Sequence, residues 1–100
     1  MSGTTHIVLV AWNGDADALS RRADELADAH LLGIPGVVGI DRGTSISTEG
    51  AEGDIDWGMV VRFATQEDAL AYLPHPEHAP VADFIGENAT RVIVFDLPAR

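Results

Sequence analysis

Short apolar runs, rich in β-branched residues, recur at four places along the chain and are typical of β-strands. They occupy residues 6–12, a segment that begins with IPGVVGID at residues 34–41, residues 57–63 and residues 91–97. In the first and last of these runs, both sets of alternate positions are apolar. A strand with one face in water alternates apolar with polar residues, so we expect both faces of this sheet to be covered.

Helical spacing of apolar residues separates the predicted strands. The first helix is predicted between about residues 16 and 32 and ends at the glycine at position 33. Its apolar stripe consists of Leu19, Ala23, Leu26 and His30. A short helix follows the N-cap residue Thr65 and runs through Leu73. A further helix is predicted over residues 80–89, because proline is tolerated in the first turn of a helix.

The order β-α-β-β-α-β predicts an α+β fold of the ferredoxin-like, split βαβ type. Such a fold has one four-stranded antiparallel sheet with helices on one face. One hundred residues is the usual size of a single domain, so the predicted domain spans residues 1–100. Because the chain has helices for only one face, we expect a second copy to cover the other face and form a homodimer. The residues expected in that interface are Ile7, Leu9, Ala11, Ile93 and Phe95.

The chain is strongly acidic, with 16 acidic and 6 basic residues and a formal net charge of −10. Nucleic acids and anionic membranes bind clustered Lys and Arg, so this balance argues against both as partners. The sequence has no cysteine, which excludes disulfides, thiolate metal ligands and cysteine nucleophiles. The first apolar run lacks a basic flank and is too short for a signal peptide or a membrane span. A soluble, cytoplasmic protein is therefore expected.

The segment YLPHPEH, residues 72–78, gathers several groups that can carry chemistry. His75, Glu77 and His78 could each bind a metal ion. Their spacing, however, does not match the pair of histidines one helical turn apart that binds zinc in peptidases. We therefore expect no metal and no other cofactor.

An acid-base pair is the other interpretation of this segment. His78 is expected at the start of a helix, where the dipole disfavours a charged imidazole and leaves a neutral ring able to accept a proton. Tyr72 could donate a hydrogen bond to an oxygen on which negative charge develops. From the residues alone, a structural role is favoured for His78, as a core or capping residue. For Tyr72 a structural role fits as well as a chemical one, as an aromatic side chain packed at the edge of the domain.

The remaining histidines are expected to be structural. His6 shares an apolar strand face and should point towards the helices. His30 lies near the end of the first helix, where a packing role is expected. His75 precedes a proline, which favours extended backbone, and should be exposed or structural.

An apolar pocket between the sheet and the helices is also predicted from the alternation of the strands. Most of its lining must be ordinary core, with small residues leaving room among large ones. The expected lining residues are His6, Val8, Val10, Trp12, Ala27, Trp57, Met59, Val81, Phe84, Val92 and Val94.

Five motifs carry a resemblance to a known family: HIVLVAW near the start, IPGV at the second strand, G…S.EG in the connection, Y..HP.H, and a terminal VFD. Together they resemble the stress-responsive dimeric α/β-barrel (Dabb) family over nearly the whole chain. Within it, the chain is most similar to polyketide cyclases of the olivetolic acid cyclase type. The resemblance implies a ferredoxin-like chain that pairs into a dimeric α/β barrel.

The resemblance also implies roles for individual residues. It places the catalytic tyrosine and histidine of the cyclases on Tyr72 and His78, and a pocket histidine on His6. Trp57 stands where the cyclases have another histidine. Ala27 and Val81 replace bulky aromatic residues, so the pocket is reshaped and the cyclase substrate does not carry over.

The preferred hypothesis is a small cofactor-free enzyme of the polyketide cyclase or lyase type. It would remove a proton beside a carbonyl group of a hydrophobic substrate, with His78 as base and Tyr72 as the partner of the oxyanion. Two alternatives stay open. One is a non-catalytic, stress-responsive oligomeric protein, and the other is an antibiotic-biosynthesis type of monooxygenase built on the same barrel.

Overall fold

A computed structural model describes residues 3–99 of the chain, so the first two residues and the last residue of the predicted domain 1–100 lie outside the described part. The strands are β1 (Gly3–Trp12), β2 (Val37–Gly43), β3 (Trp57–Phe63) and β4 (Ala89–Ala99). The helices are α1 (Ala16–His30), α2 (Gln66–Tyr72) and α3 (Ala79–Asn88), and a 3-10 turn (Pro76–His78) leads into α3. The predicted α+β, ferredoxin-like order is confirmed.

Several boundaries differ from the sequence prediction. Strand β1 begins at Gly3 rather than at residue 6, α1 ends at His30 rather than at about residue 32, and β2 and β4 differ as well. The second strand begins at Val37, because residues 31–36 form turns in which Gly36 has a φ of 93°. Such a φ suits glycine, and a Cβ at this position would lie 2.5 Å from the Cβ of Asp68. The close approach places the start of β2 against the first turn of α2. The fourth strand runs from Ala89 to Ala99 and is longer than predicted.

The strands form one antiparallel sheet in the order β2-β3-β1-β4. Central strand β1 pairs with β3 on one side and with β4 on the other, and its register sets His6 opposite Asp96 and Val8 opposite Val94. Directly opposed residues in such a pair lie on the same face of the sheet. Val92, Val94 and Asp96 therefore share the helix face with His6 and Val8.

Side chains cap the N-termini of α1 and α2. The Asp15 carboxylate accepts a hydrogen bond from the Ala18 backbone N–H at 3.1 Å at the start of α1. The Thr65 hydroxyl accepts one from the Asp68 N–H at 3.0 Å at the start of α2. Each satisfies one of the helix N–H groups that have no partner within the helix.

The core lies between the helices and the sheet and includes Val10, Ala23, Ala27, Leu31 and Val61, each fully buried. The opposite face is apolar as well. Cross-strand pairs there join Ile7 with Phe95 and Leu9 with Ile93, and Phe95 is 59% exposed.

In residues 3–99, no helix is both long enough and apolar enough to cross a membrane.

Candidate active site

A cavity of about 340 Å³ opens between the helix face of the sheet, α3 and the C-terminal end of α2. Strands β1, β3 and β4 form its floor. Its lining consists of His6, Val8, Met59, Tyr72, Leu73, His78, Val81, Ala82, Ile85, Gly86, Val92, Val94 and Asp96. Two histidines, a tyrosine and a carboxylate are thus grouped in an otherwise apolar surface, which is the usual character of a small-molecule site.

Tyr72, the last residue of α2, is only 1% exposed. Its ring packs edge-on against Phe63, with 5.0 Å between the ring centroids. The hydroxyl oxygen is buried and has no hydrogen-bond partner among the described residues. Burial raises the pKa of Tyr72 to about 12, so the phenol stays protonated near neutral pH and can donate a hydrogen bond.

His78 lies where the 3-10 turn passes into α3, and its side chain makes no capping hydrogen bond. Its ring centroid is 4.7 Å from that of Tyr72. Burial lowers the pKa of His78, and the charge of His6 lowers it further, whereas the Leu73 backbone and the Asp83 carboxylate act in the opposite direction. The neutral, proton-accepting form of His78 is therefore favoured at neutral pH.

His6 has a carboxylate partner on the neighbouring strand. Its Nδ1 lies 2.6 Å from Oδ1 of Asp96, and its ring centroid is 5.9 Å from that of Tyr72. A carboxylate can only accept a hydrogen bond, so Nδ1 of His6 carries the hydrogen that is donated to Asp96. The other ring nitrogen, Nε2, does not take part in this bond. His6 thus joins Tyr72 and His78 in one cluster.

Asp96 was not among the site residues predicted from the sequence. It belongs to the VFD motif, and it lies on the same side of its strand as Val92 and Val94, which were expected to face the helices. That alternation was the available signal. The distance to His6 depended on the register between β1 and β4, which the sequence did not provide.

The predicted lining residues divide into two groups. His6, Val8, Met59, Val81, Val92 and Val94 line the cavity together with Tyr72 and His78. The others lie in the packed core beside it or against it: Val10, Trp12, Ala27, Trp57 and Phe84.

Hydrogen bonds explain why the two tryptophans belong to the packed core. The indole N–H of Trp12 donates to the Ser20 hydroxyl at 3.0 Å, and that of Trp57 donates to the Asp24 carboxylate at 2.8 Å. Both acceptors are on α1, so the two rings are held under that helix.

The other two histidines lie around the 3-10 turn. His30 Nδ1, at the end of α1, is 3.0 Å from Oε1 of Glu77, and the His75 ring accepts a hydrogen bond from the Glu77 N–H at 3.1 Å. Within the part of the chain that the structure describes, no three side chains of the metal-binding types gather closely enough to hold an ion.

The antiparallel sheet in the order β2-β3-β1-β4, with helices on one face, places the chain among ferredoxin-like α+β proteins. The chain belongs to the stress responsive A/B barrel domain family, whose model matches residues 4–99. No curated protein matches the sequence.

Several solved structures share the fold. A dimeric ferredoxin-like protein from Jannaschia sp. is 20% identical, with a TM-score of 0.83, 95% of this chain and 97% of that chain being covered. A cofactor-independent oxygenase from Streptomyces nogalater is 15% identical, with a TM-score of 0.78 and coverage of 100% and 95%. A hydroxynitrile lyase from Passiflora edulis is 13% identical, with a TM-score of 0.83 and coverage of 98% and 94%. At these identities the likeness shows the fold alone.

Proposed function

We propose that this protein is a small cofactor-free enzyme of the cyclase or lyase type that removes a proton beside a carbonyl group of a hydrophobic substrate. The observation that carries the proposal is the buried Tyr72 hydroxyl, which has no partner among the described residues. Tyr72 lines an apolar cavity together with His78, and the two rings are in contact. A buried donor without a partner destabilises the folded state by about 1–3 kcal/mol. A substrate oxygen would satisfy it.

The chemistry follows from the two pKa directions. The neutral His78 ring accepts the proton from the carbon beside the carbonyl, and the electron pair of that C–H bond moves onto the carbonyl oxygen as an enolate. The protonated Tyr72 donates a hydrogen bond to that oxygen, where the charge develops. In a cyclisation the enolate carbon then attacks a second carbonyl group of the substrate, a C–C bond forms, and His78 gives its proton to the alkoxide oxygen produced there. Where no second carbonyl group is present, return of the proton to carbon gives hydrogen exchange alone. The His6–Asp96 hydrogen bond supports this arrangement, because it fixes the His6 ring beside Tyr72.

Among the structural neighbours, the oxygenase supports a reaction without a cofactor. One of them is described as a cofactor-independent oxygenase and another as a hydroxynitrile lyase. The oxygenase supports a second candidate function. In it, His78 removes the proton and the resulting carbanion of the substrate reacts with molecular oxygen.

We also propose that the protein acts as a homodimer. Of the residues expected in the interface, Ile7, Leu9, Ile93 and Phe95 form an apolar face on the side of the sheet without helices. Ala11 is only 3% exposed within the single chain and contributes little to that face. The neighbour from Jannaschia sp. is dimeric. Sheet-to-sheet packing of two copies would bury this face. Sedimentation at micromolar concentration should give a dimer, and Phe95→Glu should shift it to monomer. A wild-type monomer would contradict the proposal.

The test of the chemistry is hydrogen exchange at the carbon beside a carbonyl. The protein should accelerate deuterium uptake by a methyl ketone in deuterium oxide, followed by NMR. His78→Ala should lose about 10²- to 10⁴-fold of this acceleration, since that is what a general base contributes. His30→Ala removes a histidine outside the cavity and should retain the rate. Exchange no faster than in buffer, or an unaffected His78→Ala, would favour the non-catalytic stress protein.

A further inference from the structure

A second cavity adjoins the candidate active site. It has a volume of about 250 Å³ and lies between α2 and the end of β4. Thr4 of β1, Gln66 and Leu70 of α2, and Pro98 of β4 contribute to its walls. This cavity is called the α2 groove below.

The two cavities share a boundary. His6, Leu73 and Asp96 line both of them. The His6–Asp96 pair and Leu73 therefore lie at the boundary between the two adjacent cavities. The polar side chains of His6 and Asp96 lie at this boundary. On one side, the cavity of the candidate active site has apolar walls that include Val81 and Ile85 of α3. On the other side, the α2 groove has apolar walls that include Leu70 of α2.

The α2 groove also contains apolar surface that residues 3–99 leave uncovered. Leu70 and Leu73 are 63% and 50% exposed. Residues three apart on a helix lie on the same side, so these two leucines form a continuous apolar strip along α2 and its C-terminal end. Such a strip, which leads directly to the polar cluster, suits an alkyl chain.

We propose that the α2 groove is a subsite for the tail of a straight-chain carbonyl compound. The carbonyl group lies beside His6, Tyr72 and His78, and the unbranched tail passes over the His6–Asp96 pair and along Leu73 to Leu70. The inference rests on the proposed function and specifies its substrate class: aliphatic carbonyl compounds with a tail of several methylene groups, rather than compact ones.

The experiment compares two probes that differ only in tail length. Dissociation constants of methyl propyl ketone and methyl heptyl ketone are measured by NMR titration of the full chain. A methylene group that leaves water strengthens binding about fourfold when fully buried. Because the groove is open on one side, we expect the heptyl compound to bind at least about tenfold more tightly.

Leu70→Glu tests where the tail lies. A carboxylate in the groove should reduce the affinity for the heptyl ketone to near that for the propyl ketone, with the propyl ketone unaffected. Leu32→Glu is the matched control, because Leu32 is 55% exposed at the end of α1 and lines neither cavity. It should leave both affinities unchanged. Leu70→Gln makes the same test should the charged variant not fold.

The outcomes separate this inference from the proposed function. Equal affinities for the two ketones in the wild-type protein, or a heptyl preference that survives Leu70→Glu, would overturn the α2 subsite while exchange at His78 still stands. Failure of the wild-type protein to bind or exchange either ketone would overturn the proposed function, and the subsite with it.

Discussion

The helix face of the sheet has two regions that differ in whether their buried hydrogen-bond donors have an acceptor. Beneath α1, the two indole N–H groups of Trp12 and Trp57 each donate to a side chain of that helix. Beneath α3 and the end of α2, the buried Tyr72 hydroxyl has no partner in the described part of the chain. The first region is a completed core. The second region has a buried hydrogen-bond donor that remains available to a ligand, as the proposed function requires.

The lengths of the helices explain part of the difference. Helix α1 has fifteen residues, whereas α2 has seven and α3 has ten. The shorter pair leaves the helix face of β4 partly uncovered, and Val92 and Val94 are 44% and 56% exposed there. The opening would give the proposed substrate a route to the polar cluster that leaves the core under α1 unchanged.

The largest expected effect is the loss of stability when a side chain of the packed core under α1 is removed. Trp57→Ala removes a side chain that is 1% exposed, together with its hydrogen bond to Asp24. It should lower the free energy of unfolding by about 3–5 kcal/mol. Leu32→Ala, at an exposed position, should change it by no more than about 0.5 kcal/mol. Chemical denaturation measures both, and a small effect of Trp57→Ala would contradict the description of this region as packed core.

Deletion of one hydroxyl in each region should have opposite consequences. Ser20→Ala leaves the Trp12 N–H without its acceptor and should cost about 1–3 kcal/mol of stability with no change in exchange. Tyr72→Phe removes a buried hydroxyl that has no partner among the described residues, so the free energy of unfolding should rise by about 1–3 kcal/mol. Its exchange rate should fall about 10²-fold, because one donor to the enolate oxygen is lost. A destabilised Tyr72→Phe protein with normal exchange would assign Tyr72 to the structure alone.

The smallest expected effect is a shift in pH dependence. The folded protein holds the pKa of His78 below its ordinary value of 6.5. The acid limb of the exchange rate should therefore have its midpoint below pH 6.5. Between the folded pKa and 6.5, the unfolded chain binds more protons at this residue, so stability should rise with pH across that window and be lost as the pH falls through it.

His6→Gln sharpens this test. Burial is the larger cause of the lowered pKa of His78, and the charge of His6 is the next. Removal of that charge should move the acid limb upwards, towards pH 6.5, with burial still holding it below. The pH–rate profile of the two proteins measures the shift, and identical profiles would show that the two histidines do not interact.

Much of the fold could be predicted from the sequence, because alternation and helical spacing are local. Residues 57–63 were predicted as a strand with the bounds that the structure shows, and Thr65 caps α2 as expected. The approach of Tyr72 to His78 was implied by the family resemblance rather than by spacing. The pairing of His6 with Asp96 could not be predicted, because 90 residues separate them and only the register of β1 with β4 brings them together.

The sequence by itself determined the order of strands and helices, the apolar character of both sheet faces and the position of His78 at a helix start. These properties follow from neighbouring residues along the chain. Only the tertiary structure decided which of the apolar residues close into core under α1 and which stand around a cavity. The physical reason is that burial depends on the length and placement of the covering helix. Trp57 and Val94 both face the helices, but Trp57 lies in the packed core under α1, whereas Val94 lies at the edge that the shorter helices leave open.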